Sequence, residues 1–570
     1  MKTCCLSNSK IRYLRALFIL TISMLSMAGC NRKNVESPNN SDQNWGFGSS
    51  SESKDNNNTF QSNTAAIADQ STYTYIDDAS FLAKVKENMI GEYEGIYRMS
   101  YQDAALAQME EEKRIKQYTI DNPLLIYNPF GTNLSSLYLY LGNQQQKVVV
   151  YYTVSAADET IPDFSDTLYI NRTASQEIEG QIVGLIPGQQ NKLVIDIKND
   201  AGSRIAKKAY LIDVPSNTSN VPTKLSVEIV SEVEYTRGLF HYLTKTLNGE
   251  YYVFYDNYGI LRGNIPCNIQ QVGAKALPAG NQLVIECMDN VFAVLNNLGK
   301  VVSIYPYESG GNIIDYDYDN TNNTILMIVQ RLDAQSTDLI VALNLNKGEW
   351  VVNTDFTKLI PKYKELFVEE TTNSNDQNIE ASKSKDWMGL QDIQAMEGKD
   401  FIVLSKSLNS VIRVNNIYSQ PVIRWIIGPE DLWRNTEYES LLLFESGKKT
   451  KLQEIDGMTT LSSKKLKEGQ FYLNLINRES LAQEQPKSYF YQYVVDEFQN
   501  RYRVVKAVTF TERNQESSAI VYGTHVILGM LGEKTILEYN DKGEIMLRII
   551  LPNNNSSNQI YKYTMDRYWF

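Results

Sequence analysis

Short apolar runs broken by Asn, Ser, Gly and Pro recur along most of the chain. The stretch DFIVLSKSLNSVIRV, Asp400 to Val414, shows the pattern best: Phe401–Leu404 and Val411–Val414 flank the polar Ser405–Ser410. A loop at Asn415–Gln420 and Pro421 then leads into VIRWIIG, which closes on Gly428. β-Branched and aromatic runs of this length, divided by turn formers, predict an antiparallel meander and not a helix. From about Phe240 the pattern repeats in units that open at Asn248, Gly280, Asn322, Gly398, Glu468 and Gly523. Most follow a strand, turn, strand, turn, strand order. Six such units predict a ring of blades that buries its strand edges.

A separate group of strand-like runs, among them LSSLYLYLG, KVVVYYTV and NKLVIDIKN, occupies residues 122–227. Its length and turn-rich joints predict a small β-sandwich, with a plain β lid on the main domain as the alternative. The expected fold class is therefore all-β: an N-terminal β-sandwich followed by a six-bladed β-propeller over residues 228–570. Ahead of the sandwich, residues 82–121 have a helix-compatible pattern densest in ALAQMEEEKRIKQY and are expected to form a helical linker. Residues 30–81, rich in Asn, Ser, Asp, Gln and Thr, hold too little apolar surface to offset the entropy of ordering and read as a disordered tether.

The first 29 residues have a basic start, with Lys2, Lys10, Arg12 and Arg15, and then the apolar ALFILTISMLSMAG before Cys30. That combination reads as an export signal whose core is short for a bilayer span. Met27-Ala28-Gly29-Cys30 is similar to a bacterial lipoprotein signal, with Cys30 as the lipidated residue; a plain signal peptide or short anchor is the alternative. The expected location is extracytoplasmic, anchored by lipid to a bacterial membrane. After processing, 51 basic residues face 67 acidic ones, a formal charge of −16. A surface so acidic disfavours nucleic acid, whose phosphates are bound by neutralising cations.

Of five cysteines, only Cys267 and Cys287 lie beyond the leader and Cys30. In an oxidising compartment they could pair as a disulfide; isolated buried thiols are the alternative. Two histidines, His241 and His525, have no close ligand spacing with these cysteines, so no zinc centre is expected. Asp456-Gly457 lacks the repeated oxygen spacing of a calcium loop, and GGN at 310–312 lacks the Lys of a phosphate loop. No metal and no cofactor is expected.

The order of NPLLIYNPFG, IVGLIPGQQNKLVI, DWMGLQDI, DFIVLSKSLNSVIRV, PVIRWIIG, YQYVVDEFQNRYRVV and the closing IYKYTMDRYWF resembles the bacterial arylsulfate sulfotransferases. The resemblance covers most of residues 122–570 and implies the same sandwich-plus-propeller architecture. It further implies sulfuryl transfer from an aryl sulfate to a phenol without a nucleotide cofactor, through a sulfated histidine. Such chemistry needs a nucleophilic imidazole and a cradle of cations and donors for the sulfuryl oxygens and the departing phenolate.

Residue by residue, the chain departs from that set. The family's His and Asn in the DWMGLQDI segment fall on Gly389 and Gln391, and its sulfate-binding Arg falls on Ser407, beside Lys406. Its catalytic His falls nearest to Glu454, a carboxylate that repels a sulfate monoanion. His241, near the start of the first blade, is the surviving nucleophile candidate, and His525 reads as a turn residue. Lys406, Arg434, Arg478 and Arg503 are the candidate ligand contacts. Three readings follow. The first is a noncatalytic or repurposed propeller that binds a phenolic, sulfated or glycan ligand or an envelope protein; the second is a working aryl-sulfate sulfotransferase; the third is a cell-envelope assembly protein. The 37 tyrosines suit stacking on phenols or sugars, and equally suit amphipathic strand positions.

Overall fold

The computed structural model describes residues 73–570 apart from 90–91, 143–146, 171–176, 232–235, 271–274, 331–337, 363–386, 397–398, 451, 462–465, 479–486, 511–516, 523, 531–533 and 553–558. The leader, Cys30 and the long insertion around 365–385 lie outside the described residues.

Alternation of buried and open positions builds the first domain, as along Val148–Ala156, where every second side chain is buried. One sheet joins Thr74–Ile76, Leu124–Tyr127, Ser136–Leu141 and Ile178–Val183; the other joins Phe164–Thr167, Val148–Ala156, Gln190–Asn199 and Arg204–Asp213. Leu125, Leu139 and Ile182 from the first sheet pack with Val150, Tyr152, Leu193 and Ile195 from the second, which makes a sandwich. The ordered domain begins inside the stretch read as tether, since Thr74–Ile76 pairs in parallel with Leu124–Ile126.

Helix α1 (Asp78–Asn88) starts where the Asp77 carboxylate accepts the Ser80 N–H at 2.7 Å. Helix α2 (Met99–Ile115) buries Tyr101, Ala105 and Met109, four residues apart and so on one face. Both helices pack on Leu124, Ile126, Tyr138 and Tyr140 and cover one face of the sandwich instead of acting as a free linker.

The remaining strands form six sheets, the arrangement of a six-bladed propeller. Blades 2, 3 and 4 each run through four consecutive strands, from innermost Leu277–Ala279, Asn312–Asp319 and Leu390–Met396 to outermost Val301–Pro306, Glu349–Asp355 and Val422–Ile427. Blade 5 runs from Glu454–Leu461 to Arg501–Phe510 and gains the edge strand Phe444–Glu445. In blades 2, 3 and 4 the apolar units of the sequence fall on the outer three strands, and a fourth, innermost strand is added to them. Those inner strands carry polar residues, as in NIIDYDYD and LQDIQAM, so an apolar pattern does not reveal them.

Blades 1 and 6 close the ring with both ends of the domain. Tyr561–Tyr563 is the inner strand of blade 1 and pairs with Leu239–His241; Ser226–Ile229 is the outer strand of blade 6 and pairs with Leu547–Ile550. The strand Ser226–Ile229 thus straddles the expected boundary at 227/228 and belongs to a propeller sheet.

Beneath this closure lies a buried polar network. The Lys562 ammonium, 0% exposed, donates at 2.8 Å to the Thr236 carbonyl, the Asn257 amide oxygen and the Glu538 carboxylate. Glu538 also accepts from the Thr236 N–H at 2.7 Å and from His525 Nδ1 at 2.8 Å. Burial opposes the charge on Glu538, yet Lys562 and the converging donors hold its carboxyl down at about 2.

Candidate functional site

Gly389 stands at φ +55° just before the inner strand of blade 4, a conformation that costs a side-chain-bearing residue. A Cβ there would meet Ser407 Oγ at 2.5 Å, so a His at 389 does not fit this backbone without movement. The Ser405–Ser410 turn folds over this segment: Lys406 N–H donates to the Gly389 carbonyl at 2.9 Å and Ser407 N–H to that of Met388 at 3.2 Å. Four positions singled out from the sequence, Gly389, Gln391, Lys406 and Ser407, therefore meet at one end of blade 4.

Blade 5 completes the cluster. Asn409, the last residue of the turn before the next strand, accepts the Ile455 N–H at 2.8 Å, and Gln391 Nε2 donates to the Asp456 carbonyl at 3.1 Å. A β-bulge between Ile455 and Gly457 turns the Asp456 side chain toward both neighbours. Its carboxylate, on a residue only 6% exposed, accepts from Lys406 Nζ at 3.1 Å and from Arg478. Glu454, exposed at the head of the same strand, lies opposite Arg478 in the ladder. Lys406 and Arg478 are thus already matched by an internal anion.

The other candidates do not join this group. Arg434 pairs with Glu430 on an exposed helical turn, and Arg503 is exposed on the fourth strand of blade 5. His241 lies in blade 1 at 0% exposure. Its Nε2 accepts the Ala276 N–H at 2.8 Å and its Nδ1 faces the Val253 carbonyl at 3.4 Å. The ring stacks on Phe254 at 4.6 Å, with Tyr561 and Tyr563 beside it. Burial, opposed by the Val253 contact, pulls its pKa down to about 3. The imidazole is neutral, its proton is on Nδ1, and its free lone pair is taken by the backbone. That geometry suits packing and leaves no nitrogen for attack on sulfur. His525, 8% exposed and held by Glu538, belongs to the ring closure.

Sequence reasoning missed a ladder of side chains between inner strands. Asp315 and Asp317 of blade 3 accept the Ile393 and Ala395 N–H groups of blade 4 at 2.9 Å. One blade on, Asp392 accepts the Met458 N–H at 2.8 Å and Gln394 accepts from Thr460. The two-residue spacing, repeated in NIIDYD and LQDIQ, is the signal that aligning the inner strands would have exposed. Burial, with the Asp315 charge adding to it, pushes the Asp392 carboxyl up to about 8. The folded state then holds a proton that the unfolded chain releases, so stability falls as pH rises from the ordinary carboxylate range through 8. Thermal unfolding at pH 6 and pH 9 is expected to show this loss, and Asp392→Asn, which keeps an acceptor for Met458, is expected to shrink it by about 1–3 kcal/mol. An unchanged difference between the two pH values would remove Asp392 as its source.

The model of the arylsulfotransferase (ASST) family matches residues 205–522, and that of the arylsulfotransferase Ig-like domain matches residues 124–215. The chain belongs to the arylsulfotransferase family. Its Ig-like domain is the sandwich described above, and the blade 4 and blade 5 cluster lies within the main family match. No curated protein matches the chain. Among solved structures it is similar to a nidogen/laminin complex at 9% identity, over 56% of this chain and 98% of that one, with a TM-score of 0.34. It is also similar to 6-phosphogluconolactonase candidates from Bacteroides fragilis (10% identity, 73% and 98% covered, TM-score 0.33) and Bacteroides uniformis (10%, 73% and 100%, 0.32).

Proposed function

We propose that this arylsulfotransferase-like protein is noncatalytic and binds a neutral, hydroxylated ligand, a phenol or a glycan, at the blade 4 and blade 5 cluster. The observation that carries the reading is the fate of the chemistry-bearing groups. Both histidines of the chain are engaged in blades 1 and 6, while the cluster's cations Lys406 and Arg478 are paired with Asp456. A sulfate monoanion arriving there would have to displace a carboxylate already in place, with Glu454 adding repulsion. Hydroxyl groups face no such competition. Gln391 supports this, since its buried Oε1 has no hydrogen-bond partner among the described residues and would take a hydroxyl donor once the turn above it moves aside.

The expected setting is outside the cytoplasm, with the chain tethered to a membrane through a lipid on Cys30. The family's own reaction is the alternative and the two are separable by assay. Folded protein, offered a chromogenic aryl sulfate and a panel of phenols, is expected to release no phenolate in an acceptor-dependent manner, while isothermal titration registers a phenol or oligosaccharide. Turnover with several acceptors, or a sulfuryl adduct on either histidine, would overturn the noncatalytic reading.

A further inference from the structure

We propose that Cys267 and Cys287 are a disulfide site that clamps blade 1 to blade 2. Cys267 ends the outermost strand of blade 1, Leu261–Cys267, and Cys287 lies on the second strand of blade 2, Gln282–Met288. Although they sit in different sheets, the two strand ends meet. Asn268 and Met288 form a parallel bridge, and the Asn268 N–H donates to the Cys287 carbonyl at 2.9 Å. One residue back from this bridge stand Cys267, at the end of its strand, and Cys287, at an irregularity of its strand between Glu286 and Met288, so the two backbones approach each other at the cysteines. Neighbouring strands stand about 5 Å apart, inside the ~4.4–6.8 Å Cα range of disulfides.

The thiols are free in this structure and unequally placed: Cys287 is 0% exposed, with Sγ 3.4 Å from the Val291 carbonyl, and Cys267 is partly open. Tyr97, next to α2, caps the same corner by donating to the Pro266 carbonyl at 2.5 Å.

The co-reactant is an oxidised dithiol, either a protein or a small disulfide. The Cys267 thiolate attacks it and forms a mixed disulfide, releasing one thiolate from the oxidant. The Cys287 thiolate then attacks Cys267 sulfur, forms the internal bond and expels the second thiolate. The two protons lost by the cysteines end on the reduced oxidant, which also takes the two electrons. Burial pushes both thiols up, Cys287 to about 12. Thiols of that kind are poor leaving groups, so the bond, once made, resists exchange and serves as a staple instead of a switch.

Peptide mapping tests this on the full chain, refolded with oxidised glutathione and then alkylated under denaturing conditions without reductant. Trypsin cuts after Arg262, Lys275 and Lys300, which places the cysteines in separate peptides, 263–275 and 276–300, apart from Cys4, Cys5 and Cys30. The expected result is a 263–275/276–300 linked peptide that separates on reduction. A Tm loss of about 2–5 °C on reduction is expected to accompany it, and Cys267→Ser is expected to abolish that reduction-dependent shift. Complete alkylation of both cysteines after oxidative refolding would overturn the proposal, and so would linkage of either one to a leader cysteine only.

Discussion

Glu538→Ala is expected to destabilise the protein by about 3–5 kcal/mol, because it leaves the Lys562 ammonium buried with no counter-charge. Lys562 has no solvent exposure and would keep the neutral oxygens of Thr236 and Asn257 and the face of the Phe240 ring at 4.2 Å. The penalty is one of stranding, so Lys562→Met in the same chain is expected to recover most of it. Chemical unfolding of the two single variants and the double variant gives the coupling. If the double variant is as unstable as Glu538→Ala, the pair does not hold the ring closed in this way. With its carboxyl held at about 2, the contribution of Glu538 is complete above the ordinary carboxylate range and is lost only as pH falls toward 2.

Asp456→Asn is expected to raise affinity for inorganic sulfate and for aryl sulfates by about tenfold or more. The substitution keeps the size of the side chain and removes the anion that Lys406 and Arg478 now share. Lys406 is 58% exposed and water screens its part, so the buried side of the pair, Arg478, supplies most of the gain. Titration with sulfate in wild type and variant measures it, and a neutral phenol is expected to bind both equally. Equal sulfate affinity in the two would mean that Asp456 does not occupy the cradle. No gain in sulfuryl transfer is expected, since the variant still lacks a histidine there.

Much of this architecture was legible in the order of residues, for a definite reason. Outer strands such as Phe401–Leu404 and Val411–Val414 are buried on both faces between blades and therefore read as continuous apolar runs. The strands of the uncovered sandwich sheet, such as Val148–Ala156, are open on one face and read as alternation, whereas Ser136–Leu141 under the helices is buried on both faces. The inner strands of blades 3 and 4 follow neither rule, because each is knitted to the next blade by Asp and Gln side chains. The closing strand in IYKYTM was equally hidden, since Lys562 is a charged residue in a core position and only its three acceptors explain it.

The candidate site divides along the same line. Gly389, Gln391, Lys406, Ser407, Glu454 and Arg478 lie near one another where blades 4 and 5 meet. His241 does not, because sequence shows a histidine near a blade start but not that its ring lies among Phe254, Tyr561 and Tyr563. Asp456 was visible as a residue, but its role depends on a bulge that no single-strand pattern records.

The closure of the ring by strands from both ends of the domain has a kinetic consequence. Leu239 pairs with Tyr563, and Ser226 with Ile550, so these contacts form only after more than three hundred intervening residues have been gathered. Pairings of such long sequence separation slow folding and place ring closure late in assembly. The reverse step is slow for the same reason, since the first blade cannot peel away while its inner strand is held from the far end of the domain. Persistence of the folded ring is thus governed by an unfolding rate as well as by an equilibrium.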